Sequence, residues 1–195
     1  MPAPQVIHQF KITLLYTDPV IWRRIQVPET YTFHDLHTAI QSAMGWDNSH
    51  LHMFRIGKRS EILIMGGPLD DPFDDGDENT FDGWETPVAR FLNRPGDVAI
   101  YEYDMGDGWL HEILLEGVLL KEKSVKYPRC LSGERACPPE DCGGTPGFQG
   151  ILEILAAPDD PEYAELIDWL GKGYEPEKFD PAAVKFSTRR KRRDG

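Results

Sequence analysis

The chain has 195 residues, 40% of them hydrophobic and 28% charged, with a formal net charge of −12; that is ample for one sizeable core of ordinary globular composition. No apolar run approaches the roughly 20 residues that cross a bilayer, and "MPAPQVIHQF" lacks the basic and apolar regions of a secretory leader, so a cytoplasmic location with reduced thiols is expected. Residues 1–188 carry −16, a balance that repels phosphate backbones and leaves the +4 tail, with Arg189, Arg190, Lys191, Arg192 and Arg193, as the one segment suited to nucleic acid.

In chain order, residues 7–16 and 20–27 are β-branched and aromatic runs joined by a short "TDP" turn, which predicts a hairpin. Along the second run Ile21, Arg23, Ile25 and Val27 share a face, and Val20, Trp22, Arg24 and Gln26 share the other. Neither face is wholly polar, so Arg23 or Arg24 should lie over an aromatic ring or pair with a carboxylate. In "TFHDLHTAIQSAMG", Thr32 is a natural N-cap with Asp35 in the capping-box position. Phe33, Leu36, Ile40, Ala43 and Met44 recur at helical spacing, and Gly45 closes the helix. "HLHMFRIG" and "EILIM" predict two more strands.

Residues 69–85 hold eight acidic side chains. Setting Gly76 as the glycine of a calcium loop puts Asp71, Phe73, Asp75 and Asp82 at positions 1, 3, 5 and 12. Phe73 has no ligand atom and Asp82 is too short for a bidentate role, so an acidic surface loop is expected. "TPVARFLN" suggests a short helix with Thr86 capping and Pro87 in the first turn. "DVAIYEYD" and "WLHEILLEGVLL" follow as strands around "MGDG", a hairpin signal. Beyond residue 146 the pattern turns helical. Phe148, Ile151, Leu152 and Leu155 form one stripe; in a second helix, capped by Asp160 and opened by Pro161, Tyr163, Leu166, Ile167 and Leu170 should face inward.

All three cysteines fall in "RCLSGERACPPEDCGG", residues 129–144. An odd number of thiols in a reducing compartment argues against a disulfide framework. A metal reading takes Cys130, Cys137 and Cys142 with a histidine from elsewhere, His111 first and His50 or His52 next, as a tetrahedral zinc set. The C-x6-C-x4-C spacing matches no standard zinc knuckle. The alternative makes the thiols small buried hydrophobes in a rigid loop stiffened by Pro138 and Pro139, with Glu140 and Asp141 accepting from nearby amides. His50 and His52, two apart on a predicted strand, should leave by the same face. Asp104 and Asp107 flank the glycine turn, with Trp109 and His111 on one face of the next strand. A carboxylate beside an imidazole suits ligation or proton transfer, although Asp is also an ordinary turn residue. No G-x-S-x-G elbow, phosphate-cradling P-loop or dinucleotide fingerprint occurs.

Four stretches together, "IWRRIQVP", "GWDNSHLHMF", "YEYDMGDGWLHEI" and "RCLSGERACPPEDCGGTPGF", resemble the Ri-plasmid ORF-three-like family (pRiA type). The resemblance spans about residues 7–186 and implies a compact α+β fold without an established activity. Some members carry a transposon-resolvase (TnpR) label. A serine resolvase needs an N-terminal nucleophilic serine among arginines; here the first serine is Ser42, inside the amphipathic helix. The His-x-x-Arg pair of a tyrosine recombinase is matched in spacing alone by His52 and Arg55.

The expected architecture is therefore α+β, a single domain over residues 1–188. A mixed or antiparallel sheet occupies residues 7–120 around one packed N-terminal helix, and a helical C-terminal third covers 146–186. Residues 189–195 form a basic disordered tail. The expected role is a non-catalytic binding module for an unknown protein or small ligand. Its surface would be His50, His52, Asp104, Asp107, Trp109, His111, Glu140 and Asp141. The alternatives are a zinc-stabilised or metal-dependent domain using the three cysteines with His111, and a mobile-element accessory protein touching nucleic acid through its tail.

Overall fold

The computed structural model describes residues 5–57, 62–66, 79–171 and 173–187. Its centre is an eight-stranded sheet with strands β1 (Val6–Leu14), β2 (Ile21–Pro28), β3 (His52–Ile56), β4 (Ile62–Met65), β5 (Thr80–Asp82), β6 (Val98–Tyr103), β7 (Trp109–Leu120) and β8 (Arg129–Glu134). They lie in the order β5-β4-β3-β6-β7-β1-β2-β8. Every neighbouring pair is antiparallel except β4 with β5, which makes the sheet mixed. With the helices α1 (Phe33–Met44), α2 (Gly144–Leu155) and α3 (Tyr163–Leu170) the fold is α+β, as the patterning predicts.

Period-2 alternation puts Phe10, Ile12, Leu14, Ile21, Ile25, Phe54, Tyr101, Tyr103, Trp109, Ile113 and Leu115 in one core with Phe33, Leu36 and Ile40 of α1. The capping box forms as its sequence predicts: Thr32 Oγ1 accepts from the Asp35 amide at 3.2 Å, and Asp35 Oδ2 accepts from the Thr32 amide at 3.0 Å. Gly45 ends the helix at φ 96° and donates its N–H to Gln41 O. Both arginine expectations hold. Arg24 pairs with Glu116 at 2.6 Å, and Arg23 lies 3.7 Å from the Phe179 ring centroid.

Four details differ. The first half of the cysteine-bearing segment is an edge strand, β8, antiparallel to β2. β5 was not foreseen because three residues carry too little periodicity. "TPVARFLN" yields only a 3₁₀ turn at Val88–Arg90, whose N-cap is Pro87 without a side-chain bond. Glu162 stands at the N-cap of α3 without a side-chain cap bond, while Asp160 accepts from the Glu162 amide just ahead of the helix, and no α3 residue is buried. Its apolar stripe is only half covered because α3 packs mainly on α2. Asp71, Phe73, Asp75 and the tail from Arg189 to Arg193 lie outside the described residues. Among the described residues no helix is long and apolar enough to cross a membrane.

Candidate functional site

Three connections meet at one end of the core: the turn 45–51 after α1, the β6–β7 hairpin 104–108, and the Pro-rich segment 137–143 between β8 and α2. Hydrogen bonds join them. Trp46 Nε1 donates to Pro138 O at 2.9 Å, the Asp47 amide to Glu140 Oε1 at 2.8 Å, and the Gly143 amide to Asp107 Oδ2 at 3.1 Å. The late hairpin and the thiol-bearing crossover are thus neighbours.

At the junction His50 Nε2 stands 3.1 Å from Asp141 Oδ1, 3.6 Å from Asp104 Oδ2 and 4.0 Å from Glu140 Oε2. Two of these carboxylates are tied on one oxygen and directed at the imidazole with the other. Glu140 Oε1 accepts from the Asp47 amide and from Tyr103 Oη, the latter at 3.0 Å, while Asp104 Oδ1 accepts from the Gly106 amide at 2.9 Å. Both His50 Nε2 and Glu140 Oε2 are shielded from solvent yet make no hydrogen bond; the close approach of Asp141 lacks hydrogen-bond alignment. Such orphaned buried polar atoms are uncommon. Asn48, Asp104 and Asp141, at φ 59°, 55° and 55°, make up half of the non-glycine residues held at positive φ among the described residues. Backbone strain of this kind concentrates where the surroundings over-determine a site.

The turn carrying His50 is itself braced from the core. His37 Nε2–H donates to Asn48 Oδ1 at 2.5 Å, so its Nδ1 accepts from Tyr101 Oη at 2.7 Å. Gln41 completes the circuit: its Nε2 donates to Tyr101 Oη and its Oε1 accepts from the Asn48 amide. Burial lowers His37 to about 3, which keeps it in this neutral form.

Among the described residues, His50, Asp104 and Asp141 form the one group of three or more His, Cys, Asp or Glu ligand atoms lying within 4.8 Å of one another. Ligands about 2.1 Å from a metal stand roughly 3.0–4.2 Å apart, so only a small contraction separates this group from a first coordination shell. No three of Cys130, Cys137, Cys142 and His111 come together in this way. His111 is fully buried, with Nδ1 3.4 Å from Tyr101 O and its ring edge-on to Trp46. Burial raises all three thiols, Cys142 to about 12 with Asp107 beside it adding to the rise, which favours the protonated form.

Comparison with known proteins gives the same picture of a shared fold. The profile of the plasmid pRiA4b ORF-3-like proteins matches residues 6–183. The chain belongs to that family. A relative, the uncharacterised protein y4hQ of Sinorhizobium fredii, is 34% identical over 180 residues, spanning 92% of this chain and 86% of its own length. A solved structure, the protein of unknown function MM3350 from Methanosarcina mazei Go1, is 35% identical with a TM-score of 0.83, covering 94% of this chain and all of that one.

Within this ORF-3-like protein, the surface expected from sequence divides in two. His50, Asp104, Glu140 and Asp141 converge, and Asp107 holds the loop that brings Asp141 in. His52, Trp109 and His111 do not join them. His50 precedes β3 instead of lying on it, so the shared face of His50 and His52 is lost. The His52 ring stacks on His37 at 3.4 Å inside the core, and Trp109 is buried beside Trp46. The recombinase-like spacing fares no better. Arg55 is three residues from His52, on the opposite face of β3, and pairs with Glu102 at 3.0 Å. His37, Asn48 and Tyr103 were missed. Asn48 lies in the turn after α1, while His37 on α1 bonds Asn48 and Tyr103 on β6 bonds Glu140, tertiary contacts that no local periodicity encodes.

Close approach at the junction depends on Gly144, at φ 67°, where a Cβ would run into the carbonyl oxygen of Asp107. Gly144→Ala should therefore destabilise the protein by about 2–4 kcal/mol and displace the 137–143 segment. Urea denaturation gives the first effect; loss of the Gly143–Asp107 hydrogen bond, seen as faster amide exchange at Gly143, gives the second.

Proposed function

We propose that this protein is a binding module that holds one divalent cation between His50, Asp104, Glu140 and Asp141, leaving open coordination positions for a ligand. The observation that carries this reading is the paired orientation of Glu140 and Asp104. Each has one oxygen tied by protein donors and the other aimed at a His50 nitrogen that bonds to nothing. Three carboxylates around one imidazole concentrate negative charge, which a divalent cation neutralises. One nitrogen with three oxygens suits Mn(II), Fe(II) or Zn(II) better than a soft thiolate-seeking ion. Tyr103 and the Asp47 amide then act as the outer partners that hold Glu140 in place.

Untagged, chelator-treated protein titrated calorimetrically with Mn(II) and Zn(II) should take up about one equivalent. At a hundredfold excess over Kd the cation should add about 2.7 kcal/mol of stability. His50→Ala and Asp104→Asn should each abolish uptake, and Cys130→Ser should leave it unchanged. Uptake lost with Cys130→Ser but kept in His50→Ala would return the site to the cysteine loop; no uptake at all would end the cation reading.

A further inference from the structure

A second cleft, about 610 Å³, opens between α1, the turn 45–48 and the C-terminal strap 184–187. Its volume is that of small-molecule sites. One wall is aromatic and rigid. Trp84 stacks on His34 with ring centroids 3.3 Å apart and planes 14° from parallel. The pair is pinned by the Trp84 amide donating to Asp82 Oδ1 and the His34 amide donating to Gly83 O. His34 Nδ1 is buried and unpartnered although its residue lines the cleft. The strap is fastened across the opening by the Ser187 amide, which donates to Ser42 Oγ at 3.2 Å.

The cleft also carries one charge of each sign, Asp47 and Lys185. Neither side chain has an ion pair or hydrogen bond among the described residues. By contrast Arg24, Arg55, Arg129, Arg135 and Lys178 are all paired with carboxylates. A single cation gives no grip for a polyphosphate, and a single anion gives none for a polyamine. An unpaired acid and an unpaired base beside a flat aromatic wall match a ligand with an ammonium, a carboxylate and a ring.

We infer that this cleft binds a small aromatic zwitterion of the α-amino-acid class, Asp47 receiving the ammonium, Lys185 the carboxylate, and the Trp84–His34 wall the ring. The cleft shares the 45–48 turn with the cation cluster, but it uses the Asp47 side chain where that cluster uses the Asp47 amide, and its reading does not rest on a bound cation.

Saturation-transfer NMR, run with EDTA present so that the cation plays no part, tests it with four probes: L-phenylalanine, L-tryptophan, tryptamine and indole-3-propionate. Both amino acids should bind in the millimolar range or tighter. Asp47→Asn should weaken L-tryptophan and tryptamine by about three- to fivefold and spare indole-3-propionate; Lys185→Met should weaken L-tryptophan and indole-3-propionate and spare tryptamine. Both substitutions are at the surface and leave the fold intact. Absence of signal from both amino acids at about 10 mM, or affinities that ignore the two charge variants, would overturn the assignment.

Discussion

Lowering the pH from 7 to 5 should remove roughly 4 kcal/mol of folding stability. The source is two buried imidazoles. His37 and His111 are each lowered to about 3, in both cases chiefly because burial penalises the charged ring. His37 is faced by His34, His52, Tyr101, Tyr103 and Asn48, and His111 by Tyr101 and Trp46. None of those neighbours is an anion able to stabilise a proton on either ring. In the unfolded chain both titrate near 6.5. Between about 6.5 and 3 the unfolded state therefore binds more protons, and stability falls as pH falls through that window. At pH 5 each group contributes about 2 kcal/mol of loss. His52, also held well below its ordinary value by burial, adds in the same direction. Urea midpoints at pH 7 and 5 measure the difference. His111→Phe, which fills the site without a titrating group, should remove about half of it. A midpoint that is flat over this range would mean the two rings are accessible to protons in the native state.

The same residues show what a one-dimensional reading can reach. Strands β1, β2, β6 and β7 and helix α1 follow from alternation, helical spacing and caps, because each signal is local and repeated several times within the element. The resemblance carried by "GWDNSHLHMF" and "YEYDMGDGWLHEI" covers the stretches that bring His50 and Asp104 to the junction. It could not say which side chain in each would turn outward. His50 and His52 illustrate this: β3 begins two residues later than the periodicity suggests, so one imidazole enters the acidic cluster and the other enters the core. The thiols are conspicuous in sequence yet do not gather with His111 among the described residues, whereas the carboxylates beside them look like turn residues. Glu140 and Asp104 are in fact turn acceptors, each with one oxygen. The second oxygen of each faces His50, an arrangement that only the tertiary meeting of three loops reveals.

Arg23 should be the costliest single side chain to remove. It sits on the core face of β2, fully buried, with no carboxylate partner among the described residues, and burial lowers its ordinarily very high pKa. Its charge is met by carbonyl dipoles instead. Nε donates to Ala43 O at 3.0 Å, and Nη1 donates to Trp22 O and Glu134 O, both at 2.8 Å. Ala43 lies in the last turn of α1, where unpaired carbonyls form the negative end of the helix dipole, and Glu134 ends the edge strand β8. The Phe179 ring covers the guanidinium, and Gly133 leaves room for it, since a Cβ there would lie 2.9 Å from Arg23 Cδ. One side chain thus ties helix, sheet edge and C-terminal segment together. Arg23→Met keeps most of the volume but strands these carbonyls, and should cost about 3–5 kcal/mol in urea denaturation. Arg23→Lys should recover only part of that, because one ammonium cannot reproduce the guanidinium's planar fork. The effect should also reach the site. β8 leads directly into the segment bearing Glu140 and Asp141, so loosening its end should weaken the proposed Mn(II) uptake even in protein that remains folded. If Arg23→Met binds the cation with unchanged affinity, the 137–143 segment is held without Arg23, by its bonds to Trp46, Asp47, Tyr103, Asp107 and Tyr174, and the anchoring role assigned to Arg23 stops at the sheet edge.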